Sequence, residues 1–350
     1  MNIIHILPEL EDGGVERLVP VYANEQALLG HNISVISAGG KLESLLSPEV
    51  RHIRMPVHRK NPAIGLLCAF RLARIIARGD VSVIHAHSRV PAWICCVAKR
   101  LAPRVKFFFT AHSDYAKYKL GMWPVKHADG VTCVSQYALN SLLNWLPANV
   151  PTNVIYNPVI KKLLPWRGGS GTAKRLLYAG RLSPKKFPLA VLEALARHRE
   201  HAWVLDIFGD GPFRQSVEDR ARELGIGDRV ILHGFSDNIP EILADCDLLL
   251  HSSMAEGFGL TLLEALLSGV PVIASDLPAT RELTGSDGTG LLPPGDAEAW
   301  SEAFGAFFDG KYVHSLKLAV KLPTPDEAAK AMIRFYGETV RDAVPLVRTT

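Results

Sequence analysis

Two carboxylates, Glu256 and Glu264, flank a seven-residue stretch that opens with Gly257-Phe258-Gly259. Upstream, Leu248-Leu249-Leu250 reads as a buried strand that runs into the polar loop His251-Ser252-Ser253. Downstream, Thr261 to Ser268 reads as a helix closed by Gly269, with a further strand at Val272-Ile273-Ala274. The glycine loop therefore lies where a helix begins. Unpaired N–H groups and the positive end of the helix dipole favour an anion at such a place. A carboxylate beside it can accept two hydrogen bonds from a diol. Spacing alone leaves two readings open: a ligand site for a molecule carrying both an anion and hydroxyls, or an ordinary helix with two surface glutamates.

Further loops add chemistry of the same kind. Gly180-Arg181-Leu182-Ser183-Pro184-Lys185-Lys186 follows the strand at 175–179, and Arg181 and Lys186 could clamp a diphosphate from there or act as plain surface cations. Gly13-Gly14 precedes a helix and exposes N–H groups, a pattern that also suits a simple turn. His112 follows the strand at 106–109. His85 and His87 also end a strand, but alternating histidines with thin support for a third ligand read as packing rather than as a metal site. In Phe208-Gly209-Asp210-Gly211 and His233-Gly234 the glycines either allow a ligand close to the backbone or make strand-to-helix turns.

The rest of the chain must position these groups. Its 350 residues suit two domains, and 48% hydrophobic with 21% charged residues describes a globular protein. Five cysteines, two of them adjacent at 95 and 96, give no disulfide framework and no metal spacing, so a reducing cytoplasm is the expected setting. The N-terminal run Met1 to Pro8 lacks a basic segment and is too short for a secretory signal, and no apolar stretch is long enough to span a bilayer. Charge is uneven: residues 1–165 hold 19 Lys and Arg against 10 Asp and Glu, and the remainder reverses the balance. Arg71, Arg74 and Arg78 fall on one face of a helix-like stretch, Leu67, Phe70 and Ile75 supply its apolar side, and Arg51, Arg54, Arg59 and Lys60 precede it. That face is either solvated or set against an anionic membrane surface, which would make the protein peripheral on the inner face of the cytoplasmic membrane. No nucleic-acid reading module is present, and none is expected as a partner.

Strands alternate with helices twice over, first in residues 1–160 and again in 172–315, with a Pro, Gly and Lys-rich join at 157–172 and a helical tail at 316–345. Such alternation predicts an α/β fold of two doubly wound parallel sheets, which take ligands at the carboxyl ends of their strands.

In order and spacing these motifs resemble the retaining GT-B glycosyltransferases of the group 1, family 4 type, and the likeness runs over nearly the whole chain. Glu256 to Glu264 matches the family's E-x7-E signature, Gly180 to Lys186 its G-R-x-x-x-x-K-G motif and Gly13 to Arg17 its G-G-x-E-R stretch. Phe187 departs from the pattern, standing where a glycine is usual. The resemblance implies Rossmann-like domains facing a cleft and a final helix that crosses back to the first domain. It implies that a hexose-type sugar moves from a UDP- or GDP-linked donor to a glycan or lipid-linked acceptor, as in surface polysaccharide, glycolipid or lipopolysaccharide synthesis. Arg181 and Lys186 would stabilise the diphosphate, Glu256 would orient the donor sugar and His112 would contact it. Glu264 would hold the ribose, with Gly14, Gly209, Gly234, Phe258, Gly259 and Leu260 lining the donor site. No metal or other cofactor is expected, because the Asp245-Cys246-Asp247 triplet belongs to the run-up of a buried strand. A sugar phosphorylase, a nucleotide-sugar epimerase and a silent scaffold subunit that binds nucleotide sugar are the alternatives.

Overall fold

The computed structural model describes residues 1–341 other than 12, 145 and 286–287, and at 116–120 and 340–341 only the course of the backbone. The chain divides into two compact units: Met1–Ile160 with the stretch that begins at Leu322, and Lys161–Lys321. The last residues of the expected tail, 342–345, lie outside the described residues.

The first unit is built on β1 (Asn2–Ile6), β2 (Asn32–Ser37), β3 (Arg51–Arg54), β4 (Val83–Ala86), β5 (Lys106–Ala111), β6 (Gly130–Cys133) and β7 (Thr152–Val154). All are paired in parallel, in the order β3-β2-β1-β4-β5-β6-β7. Helices α1 (Gly14–Leu28), α2 (Pro62–Gly79), α3 (Arg89–Leu101) and α4 (Gln136–Leu143) make the crossovers. Side chains alternate across the strands. Ile4, Ile6, Ile84, Phe107 and Phe109 enter one core with Cys68, Leu72, Ile94 and Cys95 of α2 and α3. A sheet covered on both faces needs apolar strands throughout, which is why these segments read as unbroken hydrophobic runs.

Composition hid one strand. Arg51 and Arg54, expected as part of a basic lead-in to α2, lie in the edge strand β3, where Arg54 donates to Glu43 through Nε (3.1 Å) and Nη2 (2.9 Å). Arginines at a sheet edge face water and discourage further pairing, so a polar strand is tolerated there. The apolar side read for α2 is distinct from its core side. Asn61 caps this helix by accepting from the amides of Ala63 and Ile64, and the buried stripe is Gly65, Cys68, Ala69, Leu72 and Ile76. Leu67 (68% exposed) and Phe70 (54%) do not face the core; they stand in solvent beside the exposed Arg71, Arg74 and Arg78. The first half of this inward face is small, Gly65, Cys68 and Ala69, and lets α2 approach α3 closely there: a Cβ on Gly65 would lie 2.7 Å from the Trp93 ring.

The second unit repeats the plan with β8 (Lys174–Ala179), β9 (Trp203–Phe208), β10 (Val230–Gly234), β11 (Leu248–His251), β12 (Val272–Ser275) and β13 (Leu291–Leu292), in the order β10-β9-β8-β11-β12-β13. Its helices are α5 (Ala190–Leu195), α6 (Arg214–Glu223), α7 (Ile239–Ala244), α8 (Leu260–Ser268), α9 (Pro278–Thr284) and α10 (Ala297–Phe308). Leu176, Tyr178, Leu205 and Ile207 meet Trp300 and Phe304 of α10 in its core.

The final helix, α11 (Pro325–Arg341), belongs to the first unit, as the family resemblance implied. Its Tyr336 is fully buried, packs on Phe108 (centroids 4.6 Å apart) and hydrogen-bonds His85 Nδ1, while Phe335 meets Phe108 edge-on. Tyr336→Ala is expected to lower the unfolding free energy of the first unit by roughly 3–5 kcal/mol, read as a shift in the urea midpoint of that unit.

Candidate active site

In a doubly wound sheet, consecutive crossovers leave on opposite faces at one point, and a crevice opens there at the carboxyl ends of the two central strands. In the second unit that point lies between β8 and β11. The loop after β8 carries Arg181 and Lys186; the loop after β11 carries Glu256 and leads into α8, which carries Glu264. Two sequence motifs some seventy residues apart are thus brought to one place.

They are also bonded to each other. Lys186 Nζ lies 2.5 Å from Glu256 Oε2, Thr261 Oγ1 at the start of α8 donates to the Ala179 carbonyl (3.2 Å), and the Met254 amide donates to the Lys185 carbonyl (2.7 Å). Ser253 Oγ adds a 3.2 Å bond to Glu256 Oε2, and the Gly257 amide donates to Oε1 at 3.2 Å. Burial alone would push the Glu256 carboxyl up. The Lys186 ammonium, His251 and the bonds from Lys186 and Gly257 more than offset this and hold it below its ordinary range. Glu256 is therefore a fixed anion and Lys186 its counter-cation, which the sequence had assigned to a phosphate. The two roles agree if an incoming anion draws Lys186 partly from Glu256.

His251, at the end of β11, was read only as part of a polar loop. Its Nε2 is 3.6 Å from Glu256 Oε2, beyond hydrogen-bond reach, and has no hydrogen-bond partner. Burial lowers this imidazole to about 4 against an opposing pull from Glu256, so it is neutral near pH 7.

Arg181 is exposed at the mouth of its loop, held there by a bond from the Tyr178 hydroxyl to the Arg181 carbonyl (3.1 Å). The glycine usual at position 187 is not needed. Phe187 is fully buried, meets Tyr178 edge-on at 4.7 Å, and its amide closes a turn onto the Ser183 carbonyl at 3.0 Å. Gly259, by contrast, has φ +91° as the cap of α8, and a Cβ there would lie 3.5 Å from Glu256 Cγ, so the helix starts beside that side chain. Phe258 is buried beneath the loop, and Leu260 and Glu264 are half-buried on α8.

The glycine loops divide by role. Gly209 has φ +127°, and a Cβ there would lie 2.0 Å from the Gly180 carbonyl oxygen; its amide donates to the Gly234 carbonyl (2.7 Å). Close approach at Gly209 is thus to the neighbouring loop. Gly234 has φ +76° with open space where a Cβ would stand. Beside them His233 stacks on Phe208 (centroids 4.3 Å, planes 5° apart) and lies 2.6 Å from Asp206, which also accepts from Arg175; sequence reasoning singled out the loops of Phe208 and His233 but not their link to Asp206 and Arg175.

The switch point of the first unit lies between β1 and β4. Gly14 opens α1 and is exposed. His112 stands just past β5, and behind it His87, His85 and His5 form a buried cluster. The ring nitrogens of His5, His85 and His87 lie close enough together to hold a metal ion. All six already have side-chain partners: His5 with Gln26 (2.8 Å) and His87 (2.9 Å), His85 with Tyr336 and Thr110 (2.7 Å), and His87 with His5 and with His112 (3.1 Å). Sequence reasoning found His85, His87 and His112 but missed His5 and Gln26, which β1 and α1 bring in from distant positions.

The arrangement is that of a two-unit α/β protein whose second unit gathers two cations, two carboxylates and a helix start at its switch point. Comparison with known proteins gives the class. Residues 12–161 match the model of Glycosyltransferase Family 4, and residues 164–322 match that of Glycosyl transferases group 1. The chain belongs to this family of glycosyltransferases. It is 28% identical to N-acetyl-alpha-D-glucosaminyl L-malate synthase of Bacillus anthracis over 75% of this chain and 76% of that protein. To the lipopolysaccharide 1,6-galactosyltransferase of Escherichia coli K12 it is 29% identical over 53% of this chain and 56% of the relative. Among solved structures, Anabaena HepE in complex with UDP and glucose superposes with a TM-score of 0.75 over 98% of both chains at 21% identity, which supports the fold.

Depressed histidines in both units set a pH dependence, of which His251 and His5 define one window. His251 and His5 fall from 6.5 to about 4 on folding, both chiefly through burial. The unfolded chain binds the extra protons between those values, so stability falls as pH drops from 6.5 and the loss is complete near 4. Thermal midpoints should decline across that window, and less steeply in His251→Gln; an equal decline in the variant would remove His251 from the cause.

Proposed function

We propose that this glycosyltransferase is a retaining, metal-independent hexosyltransferase that uses a nucleoside diphosphate sugar. The observation that carries the reading is the junction of the Arg181–Lys186 loop with the Glu256–α8 loop at one switch point. It supplies two cations and a helix start for a diphosphate, with two carboxylates spaced for hydroxyl groups. Glu264 holds the ribose diol and Glu256 the transferred sugar. Lys186 and Arg181 take up charge as the sugar–phosphate bond breaks, assisted by the Leu260 and Thr261 amides. His112 contacts a hydroxyl of the transferred sugar. In the retaining route the acceptor hydroxyl attacks on the face that the diphosphate leaves, and the departing phosphate takes its proton. UDP conjugates are the first donors to examine by analogy with HepE, and GDP conjugates follow.

Arg181→Ala should lower kcat by on the order of 10²–10³, as for loss of one donor to a developing oxyanion, and leave the melting temperature unchanged because the side chain is exposed. Wild-type turnover in that variant would dismiss the clamp. Ligand at about 100 times its Kd adds roughly 2.7 kcal/mol to the folded state. A melting shift with one nucleotide family that vanishes in Glu264→Ala would name the donor base. A response to inorganic phosphate alone would point to a phosphorylase.

The acceptor we propose is lipid-linked, with α2 as the contact to an anionic membrane. This rests on the exposed Leu67 and Phe70 beside Arg71, Arg74 and Arg78: apolar side chains that can enter the headgroup region, ringed by charges that attract it. No described helix is long and apolar enough to cross a membrane. Sedimentation with phosphatidylglycerol vesicles at low salt should capture the protein and fail for Leu67→Ser/Phe70→Ser. Equal capture of the double variant would exclude α2.

A further inference from the structure

A row of side chains runs through the buried part of the first unit, from Gln26 of α1 through His5 of β1 and His87 after β4 to His112 after β5. Gln26 Oε1 lies 2.8 Å from His5 Nε2, His5 Nδ1 lies 2.9 Å from His87 Nε2, and His87 Nδ1 lies 3.1 Å from His112 Nε2. His112 Nδ1 is buried and has no hydrogen-bond partner. Gln26, His5 and His87 are at most 1% exposed.

The protons of this row are not independent. A carboxamide oxygen only accepts, so His5 Nε2 carries the proton that reaches Gln26. A neutral imidazole has one N–H, so His5 Nδ1 is then a bare acceptor, and the proton between His5 and His87 sits on His87 Nε2. By the same step His87 Nδ1 accepts from His112 Nε2–H. The row ends at His112 Nδ1, left with a lone pair and nothing to accept from. Burial supports the neutral state that this logic needs, lowering His5 to about 4, His112 to about 3 and His87 well below its ordinary value. Reversing one ring alone would set N–H against N–H on one side and lone pair against lone pair on the other, so the row turns as a unit.

We propose that Gln26, His5 and His87 are positioning residues that hold His112 in its Nε2–H form, so that Nδ1 offers a fixed lone pair to a hydroxyl of the bound sugar. The sugar contact rests on the glycosyl-transfer reading above; the proton order does not. An imidazole held in this way accepts and cannot donate. A site built to accept from a hydroxyl discriminates strongly against a ligand that lacks it, because the buried acceptor is then left unpaired. His85 stands beside the row, stacked on His87 at 4.4 Å, and is tied separately to Tyr336 and Thr110. It buttresses the row without sharing its protons.

Long-range proton–nitrogen correlation spectra of the full-length protein with ring-labelled histidine, taken near pH 7 without ligand, read each tautomer directly. Nε2–H at His5, His87 and His112 is expected. Nδ1–H at His112, the order produced if the Gln26 carboxamide presented its nitrogen to His5, would overturn the proposal, as would exchange between the two forms. In Gln26→Met, which keeps the volume and removes the acceptor, His112 should populate both forms. Its kcat should fall roughly tenfold, the worth of about one hydrogen bond, with donor KM little changed. A wild-type His112 spectrum in that variant would also overturn the assignment. The tautomer is read in the free protein, so its failure is separate from that of the glycosyl-transfer reading, which would show as no stabilisation by any nucleotide sugar.

Discussion

The constraint on which this molecule depends is parallel pairing with helices on both faces of each sheet. It buries the middle of the central strands and leaves the carboxyl ends as the place where polar groups can be offered to a ligand. Both candidate sites obey it. His5 and His85 are paired neighbours on β1 and β4, and the Arg181 and Glu256 loops leave β8 and β11. Each unit brings together, at its two central strands, residues that are distant in sequence.

What a sequence shows under this constraint follows from the range of the interaction. Alternating apolar strands and helices are local patterns, and the two series, the Glu256–Glu264 helix start and the returning C-terminal helix were legible, the last through family resemblance. The edge strand at Arg51–Arg54 was not, because a strand that faces water on one side loses its apolar signature. The core side of α2 was not legible because half of it is Gly65, Cys68 and Ala69, residues too small to mark a face by hydropathy, with only Leu72 and Ile76 of larger size. At the site, residue types and loops were legible while pairings were not. Nothing local couples Lys186 to Glu256, seventy residues on, or Gln26 to His5. Phe187 teaches the same lesson in reverse: it stands where the familiar motif has a glycine, and its ring fills the core under the turn.

The Lys186–Glu256 pair is the point where stability and chemistry meet. A half-buried ammonium and a more deeply buried carboxylate satisfy each other in the free protein, with Ser253 and Gly257 completing the carboxylate's bonds. Such pairing costs desolvation, and the net contribution to folding is modest. It keeps two charges ordered before any ligand arrives, so for the donor proposed above little side-chain freedom remains to be lost on binding.

The return of α11 to the first unit sets an order of assembly. The second unit is one continuous stretch of chain and holds all its own strands. The first unit is missing Phe335 and Tyr336, the cover of Phe108 and the partner of His85, until the last part of the chain has been made. During synthesis the domain that is begun first is therefore the one completed last. A chain broken off between Lys321 and Phe335 keeps the second unit whole, and its defect lies far upstream, in the histidine-lined sheet of the first unit.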